Sequence, residues 1–230
     1  MRSKVIACTV CGLALVGAAL ALADGARDMA ILLKAAGKVE VGSALDRRWK
    51  PGTRGTRLSS GDRIRTGENS LATLIFTDDK SLLKLRGDSE LTLGGEREKG
   101  AVSKRLKVDA GELWAKISKG GGGYRLETPS GVAAVKGTEF YLLVAEDGST
   151  TAIVLEGVIE LINSLGSILV EKGYTGIMHS DAPPDTSESG NVPDWGGEDL
   201  TVTGEEGQLR IEFRDESGQK RFLLIRYNPR

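Results

Sequence analysis

The chain has 230 residues, 40% of them hydrophobic and 27% charged, with a formal net charge of −1. That balance is ordinary for a soluble globular protein of one main domain plus an appendage. It excludes a nucleic-acid-binding footprint, which needs a basic face or stripe. Glycine is the outlier, with 31 copies against about 16 at average usage. No Gly-X-Y period accompanies it, so collagen is excluded, and the excess points to many tight turns and therefore many short strands.

Residues 1–23 read as an export signal. Arg2 and Lys4 form a positive n-region, residues 5–23 are uncharged and mainly apolar, and Ala21 and Ala23 frame an A-x-A cleavage site before Asp24. The same 19 residues are just long enough to span a bilayer if cleavage fails, the one expected route to a membrane. Both cysteines, Cys8 and Cys11, fall in this segment, and neither is placed for lipoprotein processing. The expected mature chain then has no disulfide, no thiol nucleophile and no Cys-based zinc site. Removing Arg2 and Lys4 from the 31 basic residues leaves 29 against 32 acidic, about −3.

Residues 29–36 have helical propensity but are short. Gly37 and the alternating Val39, Glu40, Val41 favour a turn and a strand there. Arg47, Arg48, Lys50, Arg54 and Arg57 form a basic cluster around one aromatic residue, Trp49. It reads as a solvated loop, because single-strand binders need several stacking platforms. From residue 58 the pattern is strand, turn, strand. Ala72, Leu74 and Phe76 alternate, Asp78 and Asp79 mark a turn, and Leu83 and Leu85 alternate again. Leu113, Ala115 and Ile117 share one face with Trp114 and Lys116 on the other, and residues 139–145 are apolar on both faces. Asp147 and Gly148 signal a hairpin leading into residues 151–155.

A weak repeat recurs, an apolar residue followed three positions later by glycine: Leu58 and Gly61, Val108 and Gly111, Val154 and Gly157, Val170 and Gly173. It predicts a sheet that folds back on itself at glycine-permitted corners. Residues 180–200 hold Pro183, Pro184 and Pro193 among serines, glycines and acids, and read as a linker. Residues 201–230 read as a β-hairpin with one charged face, in need of a partner surface because two strands alone are marginal.

Residues 61–76 and 127–144 resemble the FecR domain family, the periplasmic β-domain first named for an iron-citrate signalling regulator. The most specific stretch is TPSGVAAVKGTEF, residues 128–140. It resembles the family's TP-x-G-x-x-A-V-K/R-G-T-x-F core through Thr128, Pro129, Gly131, Val135, Lys136, Gly137, Thr138 and Phe140. The resemblance spans about residues 30–175 and implies a periplasmic all-β interaction module. In the family's signalling regulators a cytoplasmic anti-sigma segment and a transmembrane helix come first, and a small secretin-type domain comes last. Here only four residues precede the apolar run, and a linker and hairpin follow the domain. The domain is therefore expected to transfer and the signalling role of those regulators is not.

The physical reading of the motif is architectural. Pro129 ends a strand edge, and Gly131 and Gly137 permit angles a Cβ forbids. Contact with a ligand is the minor alternative.

Little in the sequence suggests chemistry. His179 is the only histidine, and Ser180 and Asp181 beside it are sequence neighbours, whereas triad members must converge in space. No acid pair stands in a glycosidase context. Asp78 and Asp79, and Glu146 and Asp147, read as turns, not calcium ligands. The glycine run 120–123 is followed by no Gly-Lys-Ser/Thr, so it is no P-loop.

The expectation is an all-β fold, a twisted β-solenoid or β-sandwich of many short strands plus a C-terminal β-hairpin. Its parts are a signal peptide (1–23), a FecR-like domain (24–179), a linker (180–200) and the hairpin (201–230). The function expected is non-catalytic: a periplasmic interaction or scaffold protein of the bacterial envelope, with an envelope protein as partner and no nucleic acid, cofactor, metal or catalytic residue. The alternatives are a signal-relay partner of an outer-membrane receptor or membrane sensor, and an envelope enzyme acting on a polysaccharide.

Overall fold

The computed structural model describes residues 28–46, 48–98, 101–193, 201–203, 208–214 and 219–226. The expected export signal lies outside these residues. Among them there is no helix, and strands recur from Ala30 to Arg226. The first are β1 (Ala30–Ala36), β2 (Val39–Gly42), β3 (Trp49–Pro51), β4 (Arg57–Leu58), β5 (Arg63–Thr66), β6 (Leu71–Phe76), β7 (Leu82–Leu85) and β8 (Glu90–Glu98). The long β9 (Ala101–Lys116) follows, then β10 (Tyr124–Thr128), β11 (Gly131–Val135), β12 (Glu139–Val144) and β13 (Thr150–Glu156). The last of the main body are β14 (Val158–Asn163), β15 (Gly166–Glu171), β16 (Tyr174–Met178) and β17 (Asp185–Glu188).

These strands make two facing layers, and the chain deals itself alternately into them. The first layer runs β1, β6, β7, the end of β9, β12, β13, β16 and β17, with β4 on its outer side. The second runs β3, β2, β5, β8, the start of β9, β10, β11, β14 and β15. Every pairing is antiparallel except that of β9 with β10.

Period-two alternation puts one face of each layer into the core. Across the first layer, Leu32, Leu74, Leu83, Ala115, Phe140 and Val154 stand opposite one another in register. Across the second, Leu93, Leu106, Leu126, Ala133, Leu161 and Ile168 do the same. All but Ile168 are buried in one apolar cluster, and Ile168 packs against it. Truncating any of the larger ones to alanine costs about 2–5 kcal/mol by the general scale for core cavities.

The repeat read from the sequence marks the corners. Gly61, Gly111, Gly157 and Gly173 have φ of 88°, 100°, 88° and 85°. Each sits where the chain passes from one layer to the other. Gly111 lies inside β9, so a single strand serves both layers. A Cβ there would come within 2.1 Å of the Ser89 Oγ and 2.5 Å of its Cα.

Two features differ from the sequence reading. Asp185–Glu188, inside the stretch read as linker, pairs with β16 as an edge strand, while residues 194–200 of that stretch lie outside the described residues. The C-terminal segment is three-stranded: β18 (Thr201–Thr203), β19 (Gln208–Arg214) and β20 (Lys220–Arg226). It docks on its own chain. Leu209 and Ile211 are buried against Ile31, Leu33 and Ile75 on the outer side of the first layer, with Leu82 and Ile225 beside them. The Arg57 guanidinium donates to the Arg226 carbonyl at 2.6 Å.

Candidate interaction site

The motif residues form the turn and corner that join β10, β11 and β12. Thr128, Ser130 and Thr150 share a hydroxyl cluster, with Ser130 Oγ and Thr150 Oγ1 2.6 Å apart and Thr150 donating to Thr128 at 2.7 Å. It ties the β10–β11 turn in the second layer to β13 in the first. Gly131 is required by space, since a Cβ would lie 2.3 Å from the Ile162 carbonyl. Thr138 is buried and donates to the Val158 carbonyl at 2.9 Å, while Val135 and Phe140 are core residues. Gly137 takes the corner at φ 64°. Pro129 is exposed at the turn.

Lys136 is different. It is exposed and, among the described residues, makes no ion pair. It borders a groove of about 540 Å³ on the outer face of the second layer. The floor follows one cross-strand row: Arg105, Arg125, Ala134, Glu160 and Leu169. Arg105 pairs with Glu127 at 3.1 Å. Arg125, like Lys136, has no acidic partner among the described residues. Leu169 is 61% exposed and Val158 42%, so the far wall is apolar. The groove thus offers two cations with no carboxylate within 4 Å among the described residues, with Glu160 further along its floor, beside an apolar wall. A second groove of about 390 Å³ at the Gly137 corner lacks this character, because Lys116 and Lys119 there already pair with Glu139 at 3.1 Å and Glu156 at 2.9 Å.

The other candidates resolve structurally. Lys50 and Arg48 of the basic cluster pair with Asp46, and Arg57 pairs with Asp28. The Trp49 ring lies under Arg63 and Arg65, 4.7 and 4.2 Å from its centroid, which leaves it no free stacking face on that side. His179 is exposed, its carbonyl accepts from Asn163 at 2.8 Å, and no hydrogen bond joins its ring to Ser180 or Asp181. Asp147 accepts from the Ser149 amide at 2.9 Å and caps the β12–β13 turn. Asp79 likewise accepts from the Ser81 amide at 2.9 Å.

Lys104 was not singled out by sequence. It sits on β9 in phase with Leu106 and Val108, so it points into the core, and its side chain is fully buried. Its Nζ donates to Asp78 and to Asp79, each at 2.7 Å. The signal was available: one lysine at a position where alternation calls for an apolar residue.

Residues 62–160 match the family model described as FecR protein, and that stretch of the chain is a FecR domain. Two crystal structures of a candidate anti-sigma factor from Parabacteroides distasonis, at 1.65 and 2.50 Å resolution, resemble the fold with TM-scores of 0.45 and 0.46. Each is 13% identical over 55% of this chain and 59% of that one, so the likeness spans little more than half of either protein. No curated protein matches the sequence.

Proposed function

We propose that this chain is a non-catalytic FecR-domain protein of the bacterial envelope, exported to the periplasm, that binds an acidic segment of a partner protein. The FecR domain supports the coarser reading, a regulatory part in signalling and not an enzyme. One observation carries the finer reading: among the described residues Arg125 and Lys136 stand without acidic partners over the groove walled by Val158 and Leu169. Carboxylates of a partner would complete those cations, and its apolar side chains would cover the exposed wall. The same surface suits a scaffold or a relay between a receptor and a membrane sensor, and the identity of the partner separates the two.

The test is site-specific photo-crosslinking in cells, with the probe at position 136 of the full chain and, as control, at Leu45 in the β2–β3 loop, 95% exposed. Capture of one envelope protein from position 136 and none from 45 is the expected result. An outer-membrane receptor or inner-membrane sensor would make the chain a relay, and an envelope assembly protein would make it a scaffold. Equal capture from both positions, or a cytoplasmic location on fractionation, overturns the reading.

A further inference from the structure

The Lys104 cluster closes one end of the sandwich, and more surrounds it than an ion pair requires. The amine touches Asp79 Oδ2 on one side and Asp78 Oδ2 on the other, both at 2.7 Å. The Asp79 side chain is 5% exposed and that of Lys104 0%. Asp79 Oδ1 accepts two bonds, from the Ser81 amide at 2.9 Å and the Tyr124 hydroxyl at 3.1 Å. The Tyr124 hydroxyl also lies 2.9 Å from Oδ2. Burial first, and then the Asp79 charge, hold the Tyr124 hydroxyl well above the usual phenol range, so it remains a donor. The Tyr124 and Phe76 rings meet edge to face at 5.3 Å, and their centroids lie 4.7 and 5.5 Å from the amine. The glycine run 120–123 passes beside the cluster at Gly121. A Cβ on Gly121 would lie 2.5 Å from Asp79 Oδ2, and the Gly123 carbonyl accepts from the Lys104 amide at 3.0 Å.

Acyl transfer to an amine needs four things: a nucleophile against the carbonyl, a base for its proton, donors for the oxyanion, and no water. Each is present. We propose that Lys104 and Asp79 condense into an intramolecular amide bond. The reacting pair is the neutral amine and the protonated Asp79 carboxyl, which differ from the ion pair by one proton moved across the 2.7 Å contact. Nζ attacks Cγ, and the carbonyl electron pair moves onto Oδ1, held by Ser81 and Tyr124. Asp78 takes a proton from Nζ and delivers it to Oδ2. The Cγ–Oδ2 bond then breaks and Oδ2 leaves as water. Nothing is oxidised or reduced, and Asp78 is restored. The departing water has an exit through the groove that Asp79 borders, and the amide left behind is buried with Lys104.

The bond would join the β6–β7 turn of the first layer to β9 of the second. It would do for a domain whose described residues hold no cysteine what a disulfide does elsewhere. The inference is independent of any partner.

The experiment is peptide mass spectrometry on full-length protein, purified folded, then denatured and digested. The expected product is a branched peptide joining the segments that carry Lys104 and Asp79, lighter than their sum by about 18 Da, the water lost. Asp78→Asn should cut the linked fraction at a fixed time after synthesis by about tenfold or more, the scale of a general base. Lys104→Arg should leave the two peptides separate. Fully separate peptides from the folded wild-type chain overturn the proposal, whatever the variants do. A link through Asp78 overturns the assignment of the two acids.

Discussion

Individual residues carry the geometry here through close approach. At Gly111 the backbone takes φ of 100° so that β9 can leave one layer and enter the other, with Ser89 packed against it. Gly111→Ala is expected to destabilise by about 3 kcal/mol or more, from left-handed strain plus the clash. Adding Ser89→Ala should recover little, because the Ser89 Cα also lies 2.5 Å from the intruding carbon. Urea unfolding of the single and double variants measures this. Asp147 shows the opposite kind of control, by charge. The Ser149 hydroxyl, then its N–H, lower the Asp147 carboxyl below its ordinary 3.8. A lowered folded value means the turn's contribution is full above the ordinary value and is lost as pH falls through the lowered one. NMR titration should find the Asp147 midpoint below 3.8 and Ser149→Gly should raise it. At this scale the sequence was partly legible. The turn role of Asp147 and Gly148 and the four corner glycines were readable from residue type. The joint role of Asp79 as turn former and ion partner was not, since the lysine that meets it is 25 residues away.

Elements were legible wherever side-chain alternation reports burial, and illegible where the main chain does the holding. The strand over residues 30–36 emerged from a helix-strand ambiguity because Gly37 punctuates it. Asp185–Glu188 could not be read so. Its residues DTSE are polar, and it is held by backbone pairing to β16 with a Thr175–Ser189 hydroxyl contact of 2.8 Å. The charged face read on the C-terminal hairpin was correct in phase, since Leu209 and Ile211 turn inward and Arg210 outward. Which surface receives that inner face was beyond the pattern. The seat is the row Ile31, Ile75 and Leu82, whose alternate neighbours Leu32, Leu74 and Leu83 face the main core. A small three-stranded sheet depends on such a seat for its order. Leu209→Asp, which would bury an unpaired carboxylate, should undock it. Hydrogen exchange should then rise sharply across β18, β19 and β20 and at β1. The β10–β14 region should stay protected, because its core is a separate cluster.

At the scale of the whole molecule, the candidate site is a product of topology. Arg105, Arg125, Ala134, Glu160 and Leu169 lie on five strands and become one row only through the parallel β9–β10 pair and the stacking of two hairpins beside it. No local spacing encodes that row, so the motif was visible in sequence while its exposed lysine gave no sign of the groove it borders. The ion pairs elsewhere give the site its meaning. Lys38, Lys50, Arg57, Arg65, Lys116 and Lys119 each have a carboxylate within 4 Å, and Arg125 and Lys136 have none among the described residues. Neither contributes to the core, so reversing both, Arg125→Glu with Lys136→Glu, should change stability by only about 0.5 kcal/mol. The same change places two acids against an acidic partner. Capture by that partner should fall at least tenfold, a factor that corresponds to about 1.4 kcal/mol. Wild-type binding should weaken as salt rises from 0.05 to 0.5 M, on the order of the range over which exposed charges are screened. A double variant that unfolds at the wild-type temperature yet still captures the partner would move the binding surface off this groove, to the open β15 edge or the C-terminal sheet. Loss of capture at unchanged stability would tie partner recognition to the lysine of the FecR motif itself.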